Sequence, residues 1–264
     1  MVFPPQRIVC LTEETLETLY LLGEQDRIVG ISGYAVRPPQ ARREKPRVSA
    51  FISADIDKIL ALRPDLVLTF SDLQADIAAA LIRRGLDVHA FNQRSIAAIL
   101  DMIHTLGALV YASGRAHDLV ATLEARLADA RSQADRLPRR PRVFFEEWDD
   151  PLISAIGWVS ELIETAGGID VFGDRANLGA AKDRIVTLDE VIEGQPDLII
   201  GSWCGKKFRP ERVIARPGFV QLPAVRHQDI FEIKSPLILQ PGPAALTDGL
   251  AALQGIIEGW ANRT

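Results

Sequence analysis

The feature that most constrains this chain is that it repeats itself. Asp57-Lys-Ile-Leu-Ala-Leu-Arg-Pro64-Asp-Leu-Val-Leu-Thr-Phe70 and Asp189-Glu-Val-Ile-Glu-Gly-Gln-Pro196-Asp-Leu-Ile-Ile-Gly-Ser202 lie 132 residues apart. Each copy reads as a short helix, a Pro-Asp turn and a run of apolar β-formers, the pattern of a strand buried on both faces of a parallel sheet. Thr187 followed three residues later by Glu190 predicts a capping box for the second helix. Ser53 and Asp55 offer a similar start for the first.

A second correspondence lies upstream. Arg7-Ile-Val-Cys-Leu-Thr-Glu-Glu14 and Arg142-Val-Phe-Phe-Glu-Glu-Trp148 both read as strands that break into acidic residues, at an offset of 135 residues. Two such similar offsets predict two lobes with the same order of elements. Lobe 1 reads as strand 7–11, helix 13–22 closed by Gly23, strand 27–31, helix 54–62 and strand 66–70. A helix capped by Ser71 and Gln74 and stopping at Gly85, strand 87–91 and helix 95–109 follow. Lobe 2 reads as strand 142–146, a helix near 158–166 closed by Gly167-Gly168, helix 188–194, strand 197–203, a strand near 229–233 and helix 243–260. Alternation of this kind implies right-handed βαβ units and mostly parallel sheets.

Between the lobes, Leu119, Val120, Leu123, Leu127, Ala130, Ala134 and Leu137 keep helical spacing, so Ser113 to Leu137 reads as one helix ended by Pro138 and Pro141. About 25 residues make a strut on the order of 37 Å long. The expected organisation is an N-terminal α/β lobe over 1–112, a linking backbone helix over 113–138 and a C-terminal α/β lobe over 139–264. The fold class is α/β: two Rossmann-like lobes with a ligand cleft between them.

Composition narrows the function. With 264 residues and 47% of them apolar, two small cores are affordable. The net charge of −5, from 30 basic and 35 acidic residues mixed along the chain, leaves no basic stripe to follow phosphates, so nucleic acid is not an expected partner. Cys10 and Cys204 are too few for a disulfide framework or a thiolate zinc site. No 18-residue apolar run predicts a membrane span. Met-Val-Phe-Pro-Pro-Gln-Arg runs straight into a strand without the marks of a secretion signal.

In open parallel sheets ligands gather beyond the carboxyl ends of the strands. The segments predicted there carry Tyr34, Phe51 and Phe70 in lobe 1 and Glu147, Trp148, Trp158 and Trp203 in lobe 2. Since only 6% of the chain is aromatic, this clustering predicts stacking surfaces for a large, flat, partly apolar ligand; the alternative is that several of the rings are core. Glu13, Glu14, Glu146, Glu147, Asp149 and Asp150 either favour a cationic or hydrogen-bond-donating ligand or serve as acids at helix N-termini. Lys206, Lys207 and Arg209 either offset that charge, grip an anionic group or are solvated surface.

These residues resemble the cobalamin and iron-siderophore branch of periplasmic binding proteins, the class III proteins of ABC importers with a helical backbone. The resemblance rests on Arg7-Ile-Val, Gly33-Tyr34 with Pro38-Pro39, the segment from Asp57 to Leu68, and Glu161-Leu-Ile-Glu-Thr-Ala-Gly-Gly-Ile-Asp-Val-Phe172. It implies that Tyr34, Phe51 and Phe70 form one side of a corrin pocket and Trp158 and Trp203 the other. It also implies docking on an ABC permease dimer through one acid per lobe, Asp57 and Glu211. The implied protein is a monomer with no intrinsic cofactor, a cobalamin-like corrinoid or related metal chelate as ligand, and no direct insertion in the membrane. Its implied location is periplasmic, or cytoplasmic if Met1 is the native start. Replacing Trp203 with Ala is expected to weaken binding by about 2 kcal/mol.

Three other readings compete. A ferric siderophore or haem suits the aromatic and basic residues. A cytosolic corrinoid carrier uncoupled from transport keeps the same fold. An enzyme needs a nucleophile, for which Cys204 beside Lys206 is the candidate. The chain has no P-loop, no Gly-x-Ser-x-Gly elbow and no dinucleotide fingerprint, so catalysis is not expected. His104 and His117 fall on predicted helices, and a histidine-rich metal site is not expected either.

Overall fold

A computed structural model describes residues 3–263. The chain divides into two compact units, one comprising the segment up to Gln93 together with Ala97–Thr122, the other Arg94–Ile96 and the chain from Leu123 onward.

The first unit contains β1 (Ile8–Cys10), α1 (Glu13–Leu21), β2 (Ile28–Ser32), α2 (Ala41–Glu44), β3 (Arg47–Ala50), β4 (Ser53–Ala54), α3 (Ile56–Ala61), β5 (Leu66–Phe70), α4 (Ala75–Arg83), β6 (Val88–Phe91) and most of α5 (Ile96–Leu109). Its sheet has the order β4-β3-β2-β1-β5-β6, parallel throughout except for the β3–β4 hairpin. The central strands β1 and β5 are buried along their whole length, which is why they read as unbroken apolar runs.

The helix α6 (Ser113–Ala134) contains the division between the units, which falls after Thr122. It stops three residues short of the expected Leu137. Leu137 N–H bonds Ala134 O and Arg136 N–H bonds Gln133 O, so the last residues tighten into i→i+3 turns before Pro138. Its 22 residues make a rod of about 33 Å.

The second unit contains β7 (Arg142–Glu146), the hairpin β8 (Trp148–Asp149) and β9 (Leu152–Ile153), α7 (Gly157–Thr165), β10 (Ile169–Asp170), α8 (Leu188–Gly194), β11 (Leu198–Gly201), α9 (Pro210–Ile214), α10 (Pro223–Arg226), β12 (Ile230–Glu232), α11 (Ser235–Ile238) and α12 (Leu250–Ala261). Its sheet, β10-β7-β11-β12, is parallel throughout. Gly167, at φ +94°, ends α7 where an added Cβ would strike Leu137 and Ala134, so both the left-handed turn and the close approach require glycine. The expected helix 243–260 is present as a helical run over 243–261, with a π turn at Ala245–Gly249 set into its first turns.

The sequence repeat is a repeat of structure. The order β2-β1-β5-β6 recurs as β10-β7-β11-β12. Asp65, in the first Pro-Asp, accepts the Gln6 and Arg7 N–H groups at 2.8 and 2.9 Å, and Asp197 accepts the Arg142 N–H at 2.8 Å. Arg7 donates to the carbonyls of Leu62 and Arg63, just past α3, while Arg142 donates to that of Gly194 at the end of α8. Arg63 and Gln195, one residue before each proline, share a left-handed backbone at φ 47° and 42°. The capping box of Thr187 and Glu190 is present, and Asp55 caps α3 by accepting the Lys58 N–H.

Candidate functional site

The strands set the site by where they stop. In the first unit, β1 ends into Thr12-Glu13-Glu14 at the start of α1, β2 into Gly33-Tyr34, the β3–β4 turn carries Phe51 and Ile52, and β5 ends into Ser71 and Asp72. Tyr34 is 63% exposed, Phe51 is half-buried and Phe70 is buried. Of the three aromatics expected here, Tyr34 therefore presents the largest free surface.

Ser71 and Gln74 do not form the expected capping box. Ser71 accepts the Leu73 N–H at 3.3 Å, while the Gln74 side chain turns inward, accepting the Phe70 N–H at 3.0 Å and donating to Phe51 O at 2.8 Å and Leu11 O at 3.3 Å. Sequence reading missed this tie because a glutamine three residues after a serine fits both roles.

The carboxylates do not make the negative surface that their clustering suggested. Glu13 is buried and its Oε1 accepts the N–H groups of Val36 and Arg37 at 3.2 and 3.0 Å, tying the loop after Tyr34 to α1. Glu14 is buried and accepts from the Thr12 hydroxyl at 2.6 Å. Burial pushes both carboxyls up to about 7, against the opposing pull of these hydrogen bonds.

In the second unit three of the four acids, Glu146, Glu147 and Asp149, are paired with basic side chains of the same unit. Glu146 is fully buried at the end of β7, bound by Arg216 at 2.5 and 2.8 Å and by the Trp203 indole N–H at 2.9 Å. Glu147 is paired with the buried Arg184 at 2.7 Å. Asp149 holds Lys206 at 2.6 Å and Arg212 at 3.1 Å. Asp150 alone of the six is exposed. The net effect is a largely charge-compensated strand end, with Arg212 and Asp150 both exposed, a poor fit to a small cation.

Trp203 is buried and meets Phe208 edge to face at 4.9 Å. Phe208 in turn lies over Gly201, where a Cβ would fall 1.9 Å from its ring, so glycine at the end of β11 is what admits it. Trp158 is buried in α7 with its N–H on Ile238 O at 2.8 Å. Trp148 is half-buried, its ring 5.1 Å from Lys206 Nζ. In this unit Trp148 is thus the expected aromatic that retains surface, while Trp158 and Trp203 fill the core.

Asp57 and Glu211 occupy equivalent local settings, each in the first turn of a short helix and with side chains 86% and 68% exposed. Their neighbours are arginines, Arg84 at 3.0 Å and Arg209 at 3.7 Å. Cys204 lies exposed in the turn after β11, whereas Cys10 is buried in β1 with its thiol pushed up to about 12 by burial. Among the described residues no three histidine, cysteine or carboxylate side chains gather as metal ligands, and no helix is long and apolar enough to cross a membrane.

The chain is similar to known proteins along most of its length. The family described as periplasmic binding protein matches residues 8–237. The vitamin B12-binding protein of Vibrio cholerae is 28% identical over 253 residues, covering 92% of this chain and 86% of the relative. An uncharacterized ABC transporter substrate-binding lipoprotein of Bacillus subtilis, YvrC, is 24% identical, covering 94% of this chain and 79% of the relative. Among solved structures, the periplasmic heme-binding protein RhuT of Roseiflexus matches with a TM-score of 0.80 at 25% identity, covering 96% of this chain and 99% of that one.

Proposed function

The chain belongs to the periplasmic binding protein family, and from that premise we propose that it is the substrate-binding protein of an ABC importer whose ligand is a corrinoid of the vitamin B12 type. The observation that carries this reading is the similarity to the vitamin B12-binding protein of Vibrio cholerae over 92% of the chain. The strand ends support it. Tyr34, Phe51 and Trp148 keep aromatic surface there, and a corrin is a broad ring whose faces are largely apolar. The buried ion pairs of the second unit fit an electroneutral ligand better than a bare cation.

Family members are binding proteins, and this chain acts by holding and delivering its ligand without converting it. The loops are pinned by side-chain hydrogen bonds, so binding surface is preformed and little ordering cost is incurred when ligand arrives. Asp57 and Glu211, with exposed carboxylates, suit reception by basic residues of a permease dimer. The protein works as a monomer on the outer side of the membrane that the importer spans.

Haem is the second reading, favoured by the 25% identity to the heme-binding protein RhuT and by the exposed phenol of Tyr34, a group able to ligate haem iron. One titration separates the readings: cyanocobalamin, cobinamide, haemin and a ferric hydroxamate are added to the purified chain. Saturation by the corrinoids alone supports the first. Saturation by haemin alone, with a Soret shift that Tyr34→Phe abolishes, replaces it with the second.

A further inference from the structure

One buried side chain ties together three strand ends of the first unit. Gln74 reaches three backbone groups from three different strand ends, Leu11 after β1, Phe51 after β3 and Phe70 in β5. A neutral amide suits this task, because it carries an acceptor and two donors without a charge to bury. The β3–β4 hairpin that it holds has a second strand of only two residues, too short to be stable by itself.

The side chains that these bonds leave outside are apolar. Ile52, beside Phe51 in the turn, is 73% exposed, and Leu73, beside Gln74, is 54% exposed. The loop of Tyr34 joins the same set through the Gly33 N–H, which bonds Ser49 O of β3 at 2.7 Å. Three large apolar residues, each more than half exposed, thus stand on loops tied to one another by hydrogen bonds, and exposed apolar surface gathered in this way marks binding sites.

We infer that Gln74 is a positioning residue that fixes, before any ligand arrives, an apolar ledge made by Tyr34, Ile52 and Leu73, and that an extended apolar face of the ligand rests on this ledge. Use of the ledge rests on the binding function proposed above; the role of Gln74 concerns the free protein. Gln74→Glu separates the parts, since the carboxylate can still accept from Phe70 N–H but cannot donate to Phe51 or Leu11.

Amide hydrogen exchange of the ligand-free protein is the first arm. Gln74→Glu is expected to speed exchange at least about tenfold at residues 50–54 while the other strands keep their protection. Unchanged exchange at the turn, or a uniform rise along the chain, overturns the positioning role. The second arm titrates cyanocobalamin into Ile52→Ser and Leu73→Ser, exposed positions at which the melting temperature should hold. Each is expected to raise Kd about tenfold. Wild-type affinity in both variants overturns the ledge. A wild-type chain that binds no corrinoid overturns the corrinoid reading and with it this use of the ledge, and the exchange result still decides Gln74.

Discussion

The carboxylate of Glu146 lies wholly inside the second unit and meets the guanidinium of Arg216 through two hydrogen bonds of 2.5 and 2.8 Å. Paired in this way, the charge is tolerated; alone, it is not. Arg216→Met is therefore expected to cost roughly 3 kcal/mol of stability, measured by urea denaturation. The double variant Glu146→Leu, Arg216→Met should recover most of that loss. A single variant as stable as the wild type would contradict the pairing.

Trp203 and Tyr34 should separate cleanly by their burial. Trp203→Ala leaves a cavity against Phe208 and strips a donor from Glu146, so it should cost roughly 4 kcal/mol of stability, and any loss of binding follows from that. Tyr34→Ala removes an exposed ring, so the melting temperature should hold while Kd rises about tenfold. Paired melting and binding measurements check both.

How much of this was legible in the sequence follows from length and locality. The repeat announced the two units because its marks are local: an aspartate that catches the start of a strand, an arginine that covers a helix end, a proline after a left-handed residue. Strands β5 and β7 and helix α8 were legible to the residue. The hairpins β3–β4 and β8–β9, the short β10 and helices α9 to α11 were not, because two to five residues carry too little periodicity. At the strand ends, the positions of the aromatics were legible but not their burial. The acids were found but not the arginines that neutralise them, since Arg184, Arg212 and Arg216 lie 37, 63 and 70 residues from their partners Glu147, Asp149 and Glu146.

The two repeat aspartates give a third prediction. Asp65→Ala and Asp197→Ala each remove a charge-assisted acceptor from the N–H groups that begin β1 and β7. Each should cost about 2 kcal/mol in the urea midpoint. A loss at one position and none at the other would break the structural equivalence.

Glu13 and Glu14 make stability depend on pH. Their folded carboxyls are pushed up to about 7 by burial, from an ordinary value of 4.5. The folded state thus holds protons that the unfolded state has released, and stability falls as pH rises from 4.5 through about 7. Urea midpoints should decline between about pH 5 and about pH 8, by up to roughly 3 kcal/mol per group. Glu14→Gln should flatten the profile, whereas an equal slope in that variant would remove Glu14 as a cause.

The central claim is that this chain binds a corrinoid for import, and calorimetric titration of the purified protein with cyanocobalamin tests it most directly. The account predicts saturation at one ligand per chain with Kd at or below about 1 μM, or about −8 kcal/mol. No heat of binding for cyanocobalamin or cobinamide, with haemin saturating the same protein, would contradict it.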